Sequence, residues 1–430
     1  MNTSPKKSGA WQKIKNVFKI IGPGFITGAA DDDPSGIGTY SQTGAQFGYS
    51  QLWFALFTYP FMTVVQEMCG RIGLVTGDGL AGVVKKHYGK KILYGAVSLL
   101  LIANIVNIGA DLGAMASAGQ LIFGIPFIWW IIGIAVFTVI VEIKVPYPTY
   151  AKILKFLTLS LFSYVFVAFI VHQDWKQIAI STLIPNISFS KEYIMNIVAL
   201  LGTTISPYLF FWQADEEVEE EIEEHKIKEI GEITMPIVSD SDVHRMRVDT
   251  AAGMFFSNMI TFFIIVATAS TLGAHGVTNI NTATDAAKAL LPLAGHFAYF
   301  LFALGIIGVG LMAIPVLAGS AAYAVSETFN MKAGLNKTFT QAKGFYLIIA
   351  VATLMGLLIN LFNIPPFLML YYTAILNGII APILLFLIMR ISNNKNILGG
   401  RTNSRTSNVL GWIITIFMSL AAIALLVSII

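Results

Sequence analysis

The chain has little of what a soluble protein of its size is built from. Charged residues make up only 12% of its 430 residues, and there is one cysteine, Cys69. A single cysteine excludes an internal disulfide and leaves Cys69 as a small apolar residue within a helix. No small-residue cleavage pattern follows the first apolar segment, so that segment is expected to persist as a helix rather than be removed as a signal peptide. The net charge of +3 says nothing about nucleic acid, because the basic residues are dispersed among short loops, and no nucleic-acid partner is expected. No nucleophile, base or cofactor motif marks an enzyme, and no cofactor is expected. What the chain has in excess is apolar length, with 56% hydrophobic residues and a mean hydropathy of +0.72. A soluble core does not need repeated apolar runs of about 20 residues, the length that crosses roughly 30 Å of hydrocarbon.

Such runs predict an all-α polytopic membrane protein with about eleven spans. They cover 20–48, 52–74, 91–122, 126–144, 150–172, 193–220, 247–273, 293–327, 343–362, 366–390 and 409–430. Connections are short except 174–190, 221–246 and 274–292. With the N-terminal tail placed in the cytoplasm, 24 of the 27 Lys and Arg residues fall on the inner side, leaving Lys176, Lys191 and Lys288 outside. That bias predicts a multi-pass protein of the cell membrane with a cytoplasmic N-terminus and an extracytoplasmic C-terminus.

The first span contains GAADDDPSGIGTY, Gly28–Tyr40, with three consecutive carboxylates. An ionised Asp at mid-bilayer costs about 3 kcal/mol even on the lenient insertion scale. Successive helix positions are rotated by about 100°, so an unbroken helix could not turn all three from lipid. Pro34 denies the carbonyl of Ala30 its helical donor and biases Asp33 away from α geometry, while Ser35, Gly36 and Gly38 are expected to slow the return to regular helix. The result is a broken helix with a carboxylate and freed carbonyl oxygens, a cation site. A second break is expected in LLGTTISPYLFFW, 200–212, where Pro207 frees the carbonyl of Thr203 and pushes Ser206 out of α geometry. The breaks fall in the first and sixth spans, matching members of two five-helix halves, and paired interruptions at corresponding positions of an inverted repeat mark a midplane transport site. This divides the chain into a cytoplasmic tail (1–19), a first five-helix repeat (20–172), an extracellular loop (173–192), a second repeat (193–390), and a cytoplasmic loop with the eleventh helix (391–430).

These residues carry a resemblance. Gly22-Pro23-Gly24 with Asp33-Pro34-Ser35-Gly36 resembles the GPG…DPGN of the natural-resistance-associated macrophage protein (Nramp) family of divalent-metal transporters, and Gly202–Tyr208 resembles its sixth-span GATVMPH. Gly73–Gly77 and Phe123–Phe127 resemble further signatures, so the match covers the membrane region. The chain departs from the pattern at Gly36 for Asn, Ser206 for the thioether ligand Met, and Tyr208 for His. The family's third-span Asp and Glu match Asp111 and Ala114, and its eighth-span Gln falls at Leu311. The pattern is most similar to the Nramp-related magnesium transporters, for which the resemblance implies Mg²⁺ and Mn²⁺ uptake without obligatory proton coupling.

Oxygen ligands suit Mg²⁺ and Mn²⁺, whereas sulfur favours softer metals, and Mg²⁺ is usually held by one or two carboxylates with several waters retained. The expected ligand set is Asp33 and the carbonyl of Thr203, with waters near Ser206 and Thr204, and with Gly36 leaving space. Ser206 is either a direct ligand or bonded to a local carbonyl. Pro34, Ser35, Pro207 and Tyr208 belong to the breaks, Tyr208 as packing rather than chemistry. Asp31 and Asp32 either line the aqueous path or pair with a basic group or backbone N–H, and Asp111 is a relic of a proton route or a structural partner. Glu67, Glu142 and the scattered His172, His275 and His296 read as boundary residues. Asp215–Lys226, DEEVEEEIEEHK, reads as the solvated continuation of span six, with an ion vestibule or sensor as the other possibility. The resulting function is import of divalent metal cations, Mg²⁺ and Mn²⁺ favoured, by alternating access in a monomer embedded in lipid. The alternatives are a conventional proton-coupled Mn²⁺/Fe²⁺ symporter, an amino-acid or small-solute symporter of the same architecture, and a sensor or channel.

Overall fold

The structure, a computed structural model, describes residues 22–145, 158–231, 236–362 and 364–429. The tail 1–19, the first residues of the expected first span and 150–157 of the fifth lie outside the described residues. So do Lys152 and Lys155.

The described residues form helices joined by loops, with no strand among them. The first span is two helices, α1 (Pro23–Asp31) and α2 (Pro34–Phe47). Next come α3 (Trp53–Thr76), the short α4 (Leu80–His87), α5 (Lys90–Phe123), α6 (Phe127–Lys144) and α7 (Phe162–Ile170). The sixth span is again two helices, α8 (Lys191–Thr204) and α9 (Pro207–Glu223). The remaining spans are α10 (Asp240–Thr271), α11 (Ala298–Phe329), α12 (Lys343–Ile359), α13 (Pro366–Ser392) and α14 (Arg405–Ile429). Among the described residues, eight helical stretches are long and apolar enough to cross a membrane. The split first span, the second span α3 with its Glu67 and Arg71, and the partly described fifth bring the number to eleven. Cys69 is buried in α3, as expected.

Packing reproduces the two-fold pattern read from the two prolines. The seventh span α10 packs along both halves of the first, and α9 of the sixth packs along the second span α3. A shift of five places turns the first-with-seventh contact into the sixth-with-second one, and the third span α5 lies against its own counterpart, the eighth, α11. Without a hydrophobic drive between helices in lipid, such close approach needs small residues. Gly28 and Gly253 supply it where the first and seventh spans cross: a Cβ on Gly28 would lie 2.3 Å from the backbone carbonyl of Gly253.

The N-terminus of α1 is held from the seventh span. Asp249 accepts from the backbone N–H groups of Gly22 (2.9 Å), Gly24 (2.7 Å) and Phe25 (3.3 Å), donors that a helix start otherwise leaves orphaned. The negative carboxylate also complements the positive end of the helix dipole.

The acidic stretch is a correction. Asp215, Glu216, Glu217, Glu219 and Glu221 are buried rather than solvated, because α9 runs into the bundle between the second and eighth spans. Tyr323 of α11 donates to Glu219 at 2.7 Å, and Gln213 to Glu217 at 2.9 Å. Glu224, past the end of α9, is held below the usual carboxylate range by its hydrogen bond from Arg245.

Candidate functional site

Both breaks are two residues long and end on a proline. Asp32 (φ −84°, ψ 45°) and Asp33 (φ −66°, ψ 172°) separate α1 from α2, and Ile205 (φ −125°, ψ 65°) and Ser206 (φ −82°, ψ 135°) separate α8 from α9. The residue before each proline is extended because the proline ring excludes the α region there. The expected slow return to helix through Ser35, Gly36 and Gly38 does not occur. Proline at N1 is preorganised for a helix start, and Asp33 caps the new helix, accepting from Gly36 N–H at 2.7 Å and from the Ser35 hydroxyl at 2.7 Å.

The carbonyls that the prolines deprive of donors find partners. The Tyr208 hydroxyl lies 3.0 Å from the Ala30 oxygen, and the Ser206 hydroxyl lies 2.9 Å from the oxygens of both Thr203 and Gly202. Ser206 thus stands in the local hydroxyl-to-carbonyl arrangement. Thr204 does the same one turn back, donating to Leu200 at 2.8 Å. The Thr203 hydroxyl has no hydrogen-bond partner among the described residues, and it faces Gly36: a Cβ on Gly36 would lie 3.4 Å from it. The same Cβ would lie 3.2 Å from the Asp31 carbonyl and from the Tyr40 ring, so Gly36 opens less room than its size suggests.

Asp33 is the hub. Its side chain is buried, and its second oxygen accepts from Asn107 of α5 at 2.9 Å and lies 3.3 Å from the Tyr208 hydroxyl. The single Tyr208 proton serves Ala30 or Asp33 at any moment. Asn107 escaped the sequence reading. Its signal is a polar stripe, Asn104, Asn107 and Asp111, three and four residues apart on one face of an otherwise apolar helix.

Asp31 and Asp32 share one donor, the Ser257 hydroxyl of α10, at 2.6 and 3.3 Å. Each keeps one buried oxygen without a partner, and both oxygens of the buried Asp111 have none among the described residues. Asp111 lies within electrostatic range of Asp33 and Tyr208. Met115 packs its sulfur against Gly310, beside the Pro34 ring. Leu311 instead lines an outward apolar groove with Trp129 and Trp130. About 10 Å along α9 from Tyr208, by helix rise, Asp215 is buried with both oxygens unpartnered. Gly79 stands between Asp215 and Glu327, and Glu327 accepts from Gly79 and Gly82 N–H at 2.7 and 2.9 Å.

Glu67 is a boundary residue that pairs with Arg71 (3.0 Å) and Arg247 (2.8 Å). His172, His275 and His296 stay apart, and among the described residues no three His, Cys, Asp or Glu side chains gather into a ready-made metal cage. An ion at the break would be held by one carboxylate with neutral oxygens around it.

A family profile described as natural resistance-associated macrophage protein-like (Nramp) matches residues 24–428. The chain is 24% identical over 417 residues to the divalent metal cation transporter MntH of Klebsiella pneumoniae, covering 95% of this chain and 93% of that one. It is 22% identical over 418 residues to the protein of the same name from Deinococcus radiodurans, covering 94% and 88%. The crystal structure of the Eremococcus coleocola manganese transporter, in complex with an aromatic bis-isothiourea substituted compound, has the same fold, with a TM-score of 0.76 at 16% identity over 98% of this chain and 88% of that chain.

Proposed function

The chain belongs to the Nramp family, and from that premise we propose that it imports divalent metal cations by alternating access, with Mg²⁺ and Mn²⁺ as favoured cargo. The names of its relatives support divalent-metal transport. The observation that carries the assignment of the site is Asp33: a buried carboxylate at the start of α2, met by Tyr208 from the other interrupted span and by Asn107 from the third. A charged group in that position within a membrane span is expensive to keep unless it does work.

Preference for hard ions follows from the donor set. The oxygens at the break are those of the Asp33 carboxylate, the Ser35 and Tyr208 hydroxyls that bond it and the Thr203 hydroxyl, unpartnered among the described residues, and Ser206 stands where the family pattern has a thioether. Oxygen-rich surroundings suit Mg²⁺ and Mn²⁺ and give no advantage to softer metals. Inward movement takes the ion from Asp33 along α9 past Asp215, toward the end of the bundle that carries Lys85, Lys86, Arg71 and Arg401. The excess of Lys and Arg at that end supports its assignment as cytoplasmic.

The test is flux into proteoliposomes loaded with a metal-sensitive dye, measured for Mg²⁺, Mn²⁺ and Ca²⁺ with internal pH read simultaneously. Saturable Mg²⁺ and Mn²⁺ uptake without acidification supports the reading. Acidification coupled to metal entry favours the second reading, a proton-coupled Mn²⁺/Fe²⁺ symporter. Asp111 supports that alternative, since it is a buried acid beside Asp33 with neither oxygen bonded.

A further inference from the structure

At the basic end of the bundle, apart from the interrupted spans, a cavity of 390 Å³ is lined by Arg71, Asp240, His244, Arg247, Arg401 and Thr402. We propose that this cavity binds a phosphate group, carried by an anionic lipid headgroup or free in solution.

Its three guanidiniums come from three separate elements. Arg71 sits near the end of α3, Arg247 in the second turn of α10, and Arg401 in the segment leading into α14. Arg71 is fixed in place. Its Nε and Nη2 bind Glu67 at 3.0 and 3.2 Å, Nη2 also binds Asn403 at 2.6 Å, and Nη1 binds the Arg401 carbonyl at 2.5 Å. Among the described residues Arg247 commits only Nε, to Glu67 at 2.8 Å, and its half-exposed fork keeps both Nη groups for a ligand. Arg401 places Nη1 3.0 Å from Asp240 and Nη2 2.8 Å from the Val238 carbonyl, leaving Nε. The exposed His244 ring and the Thr402 hydroxyl make no hydrogen bond among the described residues. At Gly400 no atom lies within 4 Å of where a Cβ would stand, so the backbone there leaves the way open.

Two carboxylates oppose these charges: Glu67, shared between Arg71 and Arg247, and Asp240, wholly exposed at the rim. Three guanidiniums therefore outweigh them, and the groups left over are donors. A planar guanidinium fork matches the paired oxygens of a phosphate, whereas a metal cation would be repelled and an apolar partner would find little to bury against. Basic pockets between membrane helices at this level are where lipid phosphates lie. A phosphate held here bridges the second span, the seventh and the lead-in to the last.

Native mass spectrometry of the full chain, with phosphatidylglycerol or phosphatidylcholine added, reads the lipid source. Thermal unfolding of delipidated protein in inorganic phosphate against chloride at equal ionic strength reads the free anion. Arg247→Gln removes a donor fork, and His244→Glu places a negative charge in the cavity without removing any contact, so the fold is kept. About tenfold preferential retention of phosphatidylglycerol, lost in both variants, establishes a lipid headgroup site. A rise in Tm specific to phosphate, lost in both variants, establishes a free-phosphate site. Equal retention of the two lipids with no phosphate effect overturns the proposal, as does binding that His244→Glu leaves unchanged.

Discussion

Tyr208 of the sixth span directs its hydroxyl at the carbonyl oxygen of Ala30 in the first, 3.0 Å away, and that oxygen is the one Pro34 deprives of a helical donor. The first interrupted span thus depends on the sixth to satisfy its backbone, in a bilayer where no solvent would do so, whereas the sixth satisfies its own through Ser206. Tyr208→Phe leaves the Ala30 oxygen buried and unpaired, which costs about 1–3 kcal/mol. Thermal unfolding in detergent should show a clear drop in Tm. An unchanged Tm would mean that the contact contributes no stability.

One pair of substitutions separates the observed capping role of Asp33 from its proposed role as metal ligand. As an N-cap, Asn serves about as well as Asp, whereas Ala costs roughly 0.5–2 kcal/mol. Asp33→Asn should therefore insert and unfold like the native protein while losing metal flux by at least about a hundredfold, the scale of losing a charge-assisted contact of a few kcal/mol. Asp33→Ala should lose both flux and stability. Undiminished Mg²⁺ flux in the Asn variant would remove Asp33 from the site.

The spans were legible because apolar length has one main reading at this scale, and the breaks were legible because Pro34 and Pro207 each remove a donor that can be located by counting four residues back. What could not be read was where the freed groups go. The Tyr208–Ala30 and Asn107–Asp33 bonds join residues 178 and 74 positions apart, and no local pattern sets such pairings. The stretch 215–221 misleads for a related reason. Its acids look solvated by composition, but α9 carries them between neighbouring spans, where Tyr323 and Gln213 meet two of them.

Ser206 is where the proposed ion preference can be tested against the geometry of the break. Ser206→Met restores a soft donor but removes the hydroxyl that bonds the Thr203 and Gly202 carbonyls. Competition against Mn²⁺ uptake should show Cd²⁺ becoming a stronger inhibitor by about tenfold, with Mg²⁺ uptake weakened. Ser206→Ala, which frees the carbonyls without adding sulfur, should leave Cd²⁺ inhibition where it was. Equal Cd²⁺ sensitivity in all three proteins would show that position 206 does not face the ion.

The crossing of the first and seventh spans can be tested with two glycines. A Cβ at Gly28 would lie 2.3 Å from the Gly253 carbonyl carbon and oxygen, which are backbone atoms that cannot swing aside. Gly28→Ala should therefore force the helices apart and cost about 1–3 kcal/mol or more. Gly95→Ala in α5 meets nothing within 4 Å and should be neutral or slightly stabilising, since Ala exceeds Gly in a helix by up to about 1 kcal/mol. Comparable Tm values for the two variants would argue against close contact at the crossing.

Asp215 tests the route rather than the site. It lies on the same helix as Tyr208, is fully buried, and neither oxygen has a hydrogen-bond partner among the described residues. On the proposed route, a cation leaving Asp33 along α9 would meet this carboxylate before reaching Gly79 and Glu327. If the group contacts the ion only in transit, as proposed, Asp215→Asn should lower the maximal rate severalfold while the metal concentration at half-maximal uptake stays near its native value. The opposite change in Asp33→Asn, where binding itself is lost, supplies the contrast. If Asp215→Asn weakens metal binding as strongly as Asp33→Asn does, the two acids form one site. If it changes neither quantity, the ion does not leave along this face of α9.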